Sequence, residues 1–354
     1  MNKPKSLEKI SNRMVETAQL VQNVYFSGEE TGIPVIFLHG NLSAALYWEE
    51  TMLALPEGYR GIAPDLRGYG WTEDKVIDAT QGMRTWSNDI IALMDVLQIK
   101  EAHLVGWSMG AGVIYRLISD HAERIKSATL VCPVSPYGFG CSKGADGYPC
   151  YSDFAGSGGG IVNPVLIKLI EKEDRSTDDP NSPRNVINSF YYKPPFVAAR
   201  EEDFLTAALA EKTGSDRYPG DFITSTNWPN VAPGKLGPVN CWSPKYIGED
   251  VADLLAAKHK PSILWVRGDS DMIVSDTSMF DFGTLGSLGY VPGWPGNEIY
   301  PSQPMLLQTR AVLEKYAQAG GSYVEHVIEG AAHGVHIEKP SEFNQLFHSF
   351  LKEN

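Results

Sequence analysis

Cysteine is scarce in this chain. Four occur in 354 residues, and no two stand in a C-x-x-C pair. That excludes a zinc ribbon or finger and any disulfide-built miniature fold. Cys141, Cys150 and Cys241 are candidate neighbours in space, and reduced thiols in a cytoplasmic protein are the expectation. No apolar run approaches the roughly 20 residues that cross a bilayer. The N-terminal MNKPKSLEKISNRMVETAQLVQN has no apolar core and no small-residue cleavage site, so a signal peptide is not expected. Positive charge is short as well: 30 Lys and Arg stand against 43 Asp and Glu, for a net charge of −13 and no basic run. A phosphate backbone or an anionic bilayer would be repelled, which makes nucleic acid and membrane surfaces poor partners. Cofactor signatures are missing too. GSGGG at Gly156–Gly160 follows no apolar strand and precedes no GK[ST], so it implies no nucleotide, and a flexible loop is expected there.

What is present is a rhythm of short apolar runs and helical patterns. PVIFLHG (Pro34–Gly40), RGIAPD (Arg60–Asp65), AHLVG (Ala102–Gly106), SATLVCP (Ser127–Pro133), SILWVRG (Ser262–Gly268) and SYVEHVIEG (Ser322–Gly330) read as strands. Asn88–Gln98 and Ala111–Ser119 read as helices. A closing helix begins at Pro340 and places Phe343, Leu346, Phe347, Phe350 and Leu351 on one face. Such alternation predicts an α/β fold whose mostly parallel central sheet is flanked by helices. The rhythm fails over 139–260, which is rich in Gly, Pro and Asn. Phe154, Phe190, Tyr191, Tyr192, Phe196, Trp228 and Trp242 supply too much apolar surface for a solvated linker, so a folded cap is expected. The core is then 1–138 and 261–354, with a smaller insertion at about 278–303 lying near the cap.

The chemistry centres on HLVGWSMGAGVIYRLI, His103–Ile118. A strand, then G-W-S-M-G, then a helix is the setting of a nucleophile elbow: Gly106 and Gly110 make room for a sharp turn, and Ser108 projects at a helix N-terminus. Such a serine needs a base and an acid to orient that base. His333 follows the last strand, with His336 as its rival; a surface position is expected for His336. Asp269, Asp271 and Asp276 follow the SILWVRG strand. Asp271 has room to turn toward a histidine on the adjacent loop, and Asp269 is the second choice. RGD at Arg267–Asp269 ends a strand and is taken as coincidental. Trp107 reads equally as pocket floor or as core. Tyr137 is a further candidate for the pocket.

The order Ser108, Asp271, His333 resembles the Ser…Asp…His order of the α/β-hydrolase superfamily, and the likeness covers roughly Val21–Tyr137 and Pro261–Leu351. HGN at His39–Asn41 is similar to the family's oxyanion loop, and DLRGYG at Asp65–Gly70 to its D-x-R-G-x-G turn. The resemblance implies an α/β-hydrolase fold, an acyl-enzyme on Ser108 and an oxyanion site made by the backbone N–H groups of Asn41 and Met109. It implies no cofactor and no metal. Haloalkane dehalogenases and epoxide hydrolases resemble the chain around HGN but use an aspartate nucleophile, where this chain has Ser108. Proline iminopeptidases show H-G-G-P-G, which HGNLS does not match. A large aromatic cap implies a bulky, largely apolar ester or lactone as the small-molecule substrate, macrocyclic lactones such as macrolides among them. Cofactor-free haloperoxidase or perhydrolase chemistry, and a ligand receptor without turnover, are the competing expectations.

Overall fold

Each apolar run becomes a strand of one sheet in the computed structural model, which describes residues 2–247 and 250–354. The strands are β1 (Ser11–Glu16), β2 (Val21–Ser27), β3 (Ile33–Leu38), β4 (Tyr59–Pro64), β5 (Ala102–Trp107), β6 (Ile125–Val131), β7 (Ser262–Gly268) and β8 (Tyr323–Ile328). They lie in the order β1-β2-β4-β3-β5-β6-β7-β8. From β4 to β8 every neighbouring pair is parallel, while β1 and β2 form an antiparallel edge. The edge hairpin escaped the sequence reading because β1, SNRMVE, buries only Val15. β5 shows the opposite pattern. All six of its residues are buried, which explains its unbroken apolar run. Parallel pairing has a direct consequence for chemistry: the loops leaving β5, β7 and β8 all emerge at the same edge of the sheet.

Helices α1 (Arg84–Val96) and α2 (Met109–His121) pack together beside the sheet. The segment 139–260 holds α3 (Pro164–Glu171), α4 (Glu201–Leu209) and a π-helical turn at Ile187–Tyr191. Its Leu166, Ile170, Tyr191, Phe204 and Trp242 belong to the same hydrophobic cluster as Phe37, Val105 and Leu130 of the sheet. Further along, α5 (Asp250–Ala256) packs on α2, where the buried Arg116 meets Asp120, Asp250 and Asp253. Helices α6 (Met305–Gln318) and α7 (Pro340–Glu353) complete the outer layer.

GSGGG departs from its expected flexibility. A Cβ on Gly158 would collide with Asn240 and Pro233, and one on Gly159 would meet the Gly220 carbonyl at 2.7 Å. The loop is glycine-rich because it is close-packed. Residues 278–303 do lie against the inserted segment: Trp228 Nε1 donates to the Pro292 carbonyl at 2.9 Å, and Gly140 N donates to Gln303 Oε1 at 2.7 Å. All four cysteines are free thiols. Among the described residues, no helix is long and apolar enough to cross a membrane.

Candidate active site

Ser108 sits between β5 and α2 with φ 57° and ψ −116°, a left-handed conformation that a non-glycine residue adopts only under constraint. The flanking glycines supply that constraint. A Cβ on Gly106 would lie 2.6 Å from Gly110 C, and one on Gly110 would be driven into the Leu38 and His39 carbonyls. The motif therefore records how tightly β5, α2 and the end of β3 are packed. Gly40 closes the same crossing, since a Cβ there would meet Ser108 Cβ at 3.1 Å.

Asp271 and His333 are brought together, with His333 Nδ1 2.8 Å from Asp271 Oδ2. The other carboxylate oxygen accepts from Ile273 N at 2.8 Å and Val274 N at 3.0 Å, so the acid is fixed from both sides. With the imidazole N–H on Nδ1 donated to the acid, Nε2 is left as the acceptor. Trp107 Nε1 donates to the His333 carbonyl at 2.8 Å, which couples the residue before Ser108 to the loop that carries His333. Ser108 Oγ makes no hydrogen bond among the described residues; Ser108 and His333 line one cavity. Cys132 Sγ lies within 4.8 Å of both Asp271 and His333. Burial, reinforced by Asp271, pushes its thiol pKa well up, so it stays an S–H; a metal ion would require the thiolate.

His39 belongs to the scaffold of the HGN loop. Its Nε2 accepts from Leu66 N at 3.0 Å, which places the proton on Nδ1, 2.8 Å from the Gly40 carbonyl. The imidazole thus ties HGN to DLRGYG, and burial lowers its pKa to about 4. Asp65 of DLRGYG accepts from Ala45 N, Trp71 N and Asn23 Nδ2, so that motif too is structural. The amides of Asn41 and Met109 donate to no protein group among the described residues. Three tyrosines hold Asn41. Tyr191 OH donates to its carbonyl at 2.6 Å, Tyr69 OH donates to Oδ1 at 3.1 Å, and Asn41 Nδ2 donates to Tyr218 OH at 3.3 Å. The Tyr191 carbonyl also accepts from Gly334 N at 2.6 Å, bridging the loop that carries His333 to the HGN loop. The sequence reading counted Tyr191 only as apolar surface and passed over Tyr218 and Tyr69. No local pattern marks a tyrosine that reaches across the fold.

The cavity measures about 580 Å³. Its walls are apolar, with Val134, Phe139, Ile161, Leu166, Trp242 and Phe280 among them. Ser108, His333, Asn41, Met109, Tyr191 and Tyr218 also face it. The exposed Asn163 and Tyr290 contribute to the lining as well. Among the described residues, no Lys, Arg, Asp or Glu lines it. Trp107 serves both readings, being fully buried and part of the lining.

Several expectations are corrected. Tyr137 does not line this cavity. The turn at Ser135–Gly138 carries it against Gly147, where it borders a separate polar cavity with Arg84 and Asp146. His336 is buried, not at the surface: its ring stacks on Trp48 at 4.1 Å, neither nitrogen has a partner among the described residues, and burial lowers its pKa to about 3. Asp269 is exposed and accepts from Gly330 N at 2.9 Å, while Asp276 accepts from Leu306 N at 2.8 Å. Both are turn or cap acids away from the base.

Comparison with known proteins places these features. A family model described as alpha/beta hydrolase fold matches residues 33–148. The 2-hydroxymuconate semialdehyde hydrolase of Pseudomonas sp. (strain CF600) is 31% identical over 134 residues, which span 37% of this chain and 46% of that protein. Epoxide hydrolase 2 of Siraitia grosvenorii is 24% identical over 358 residues, covering 98% of this chain and 100% of the relative. The crystal structure of carboxylesterase CesB from Bacillus subtilis superposes with a TM-score of 0.59 at 14% identity, over 98% of this chain and 92% of that one, a likeness of fold. With sheet order, elbow and family model in agreement, the chain has the α/β-hydrolase fold.

Proposed function

We propose that this hydrolase is a serine esterase or lactonase acting on a bulky, uncharged, largely apolar substrate, macrocyclic lactones included. The observation that carries the reading is the His333–Asp271 contact of 2.8 Å, with His333 lining the same cavity as Ser108. In this mechanism His333 Nε2 takes the proton of Ser108 as Oγ attacks the acyl carbonyl. Asp271 holds the tautomer and stabilises the imidazolium. The Asn41 and Met109 N–H groups meet the charge that develops on the acyl oxygen, an effect worth about 10²–10³ in rate per donor. The leaving alcohol collects the proton from His333, and water then repeats the sequence to release the acid. The inserted segment 139–260 acts as a cap that keeps water out and supplies substrate contacts.

The epoxide hydrolase relative spans the whole chain, but a serine at the elbow favours acyl transfer. Labelling by a fluorophosphonate, together with turnover of a graded panel of p-nitrophenyl esters and lactones, tests the assignment. Ser108→Ala is expected to lose labelling and at least about 10³-fold in kcat. Undiminished turnover in that variant would refute the serine mechanism. Peroxide-dependent halogenation without ester cleavage would support the perhydrolase reading. Binding without turnover would mark a receptor.

A further inference from the structure

The three tyrosine hydroxyls around Asn41 are not equivalent. Tyr191 and Tyr69 each spend their proton on an oxygen of Asn41. Tyr218 is used the other way round. Its oxygen accepts from Asn41 Nδ2, and its own hydrogen has no acceptor among the described residues. The buried Glu211, one of the groups that raise the Tyr218 pKa after burial itself, leaves both carboxyl oxygens without a partner, so it does not take that hydrogen. Tyr218 is fixed in place: the residue is buried, and its N–H donates to the Lys212 carbonyl at 2.9 Å. It lines the same cavity as Ser108, Met109 and His333. Through Asn41 Nδ2 the phenol is also tethered to the residue whose main-chain N–H faces the reaction.

We propose that Tyr218 donates its hydroxyl hydrogen to the acyl oxygen of the substrate, as a side-chain member of the oxyanion site beside the N–H groups of Asn41 and Met109. This inference rests on the ester-hydrolysis reading above. The proton stays on the phenol throughout; only a hydrogen bond forms, and it strengthens as the acyl oxygen gains charge. A fixed O–H in a largely apolar cavity suits that task, because the donor is already oriented and the ground-state carbonyl is held less strongly than the tetrahedral oxyanion. The arrangement also gives the inserted segment a place in the chemistry, since Tyr218 is its contribution to the oxyanion site.

The test compares Tyr218→Phe with the unaltered protein on p-nitrophenyl butyrate, with phenylboronic acid as a mimic of the tetrahedral adduct. The expected result is a 10- to 10³-fold fall in kcat, a KM within threefold of the original, and boronate binding weakened by the same factor as kcat/KM. A role in packing alone would lower the melting temperature and leave boronate affinity unlinked to kcat. A kcat within twofold of the original, a loss confined to KM, or unchanged boronate affinity each overturns the proposal. Should Tyr218→Phe fail to fold, Tyr218→Gln and Tyr218→Leu form a second pair that lacks the ring and differs in having a donor. The glutamine variant is expected to keep at least fivefold more kcat, and equal rates overturn the inference. Failure of the serine reading would show separately, as activity retained in Ser108→Ala.

Discussion

Asp271 and Asp269 stand two residues apart, and their neighbours decide their roles. Asp271 is buried against His333, whereas Asp269 caps the turn at Gly330 from an exposed position. Asp271→Asn is expected to lower kcat by about 10³–10⁴, because an amide favours the wrong imidazole tautomer. Asp269→Asn should stay within about threefold on the same p-nitrophenyl ester assay, since its amide oxygen can still accept from Gly330. The buried histidines make a prediction about acid. His39 and His103 are held to about 4 and His336 to about 3, all chiefly by burial, against an ordinary value of 6.5. Below pH 6.5 the unfolded chain binds more protons than the fold, so stability is full above that pH and falls on acidification toward 4 and 3. Each histidine contributes up to about 1.4 kcal/mol per pH unit. Asp281, raised to about 6 by burial, and the buried Glu211, raised well above its ordinary range, act in the opposite sense and offset part of that loss. Glu49, Asp65, Asp89, Asp250 and Glu338, also raised chiefly by burial, add to that offset, so melting curves between pH 7 and pH 4.5 are read for the share that one histidine contributes. His336→Phe, which preserves the stack on Trp48, should remove that share; an unchanged slope would mean that His336 does not titrate as argued.

At the scale of elements, the elbow shows why some features were legible. Gly106, Ser108 and Gly110 are adjacent in sequence, and the clashes that demand glycine arise within one strand–turn–helix unit and its neighbouring strand. Local sterics therefore leave a local signature. Gly110→Ala should abolish soluble expression, as its Cβ would press on two main-chain carbonyls that cannot yield. The β1–β2 hairpin lacked a signature because most of β1 is solvated, and periodicity reports only buried faces. The clamp between α2 and α5 was equally silent, since an arginine in a helix reads as a surface residue. Arg116 is 1% exposed and faces three acids whose exposure reaches 48% for Asp253. Arg116→Leu is expected to cost about 2 kcal/mol in denaturant unfolding, between the values for a surface pair and a buried one. Its kcat should be unchanged, because the clamp touches neither the cavity nor the loops that carry Ser108, Asp271 and His333.

Over the whole molecule, the mostly parallel sheet flanked by helices could be read from the chain, and segment 139–260 could be marked off as the insertion. The contents of that insertion could not. Its glycines serve packing between distant segments, and its tyrosines act on loops more than a hundred residues away. Contacts of that kind depend on the finished fold and leave no spacing to detect. The assembled cavity allows a statement about substrates that composition alone did not. With no Lys or Arg in its lining among the described residues, a carboxylate on the acyl group would be desolvated without a fixed counter-charge. Within a size-matched ester panel, an acidic member should show at least about tenfold lower kcat/KM than its neutral partner.

Tyr191 closes the fold in a way that bears on redesign. Through its hydroxyl and its carbonyl, one residue of the inserted segment grips the loops that carry Asn41 and His333. The apolar side chains above the sheet also share a single interior with those below it. Trimming the inserted segment to admit larger molecules would therefore slacken the loops to which the proposed mechanism assigns the chemistry. Widening the entrance at Asn163 and Tyr290, where the lining meets solvent, leaves that grip intact.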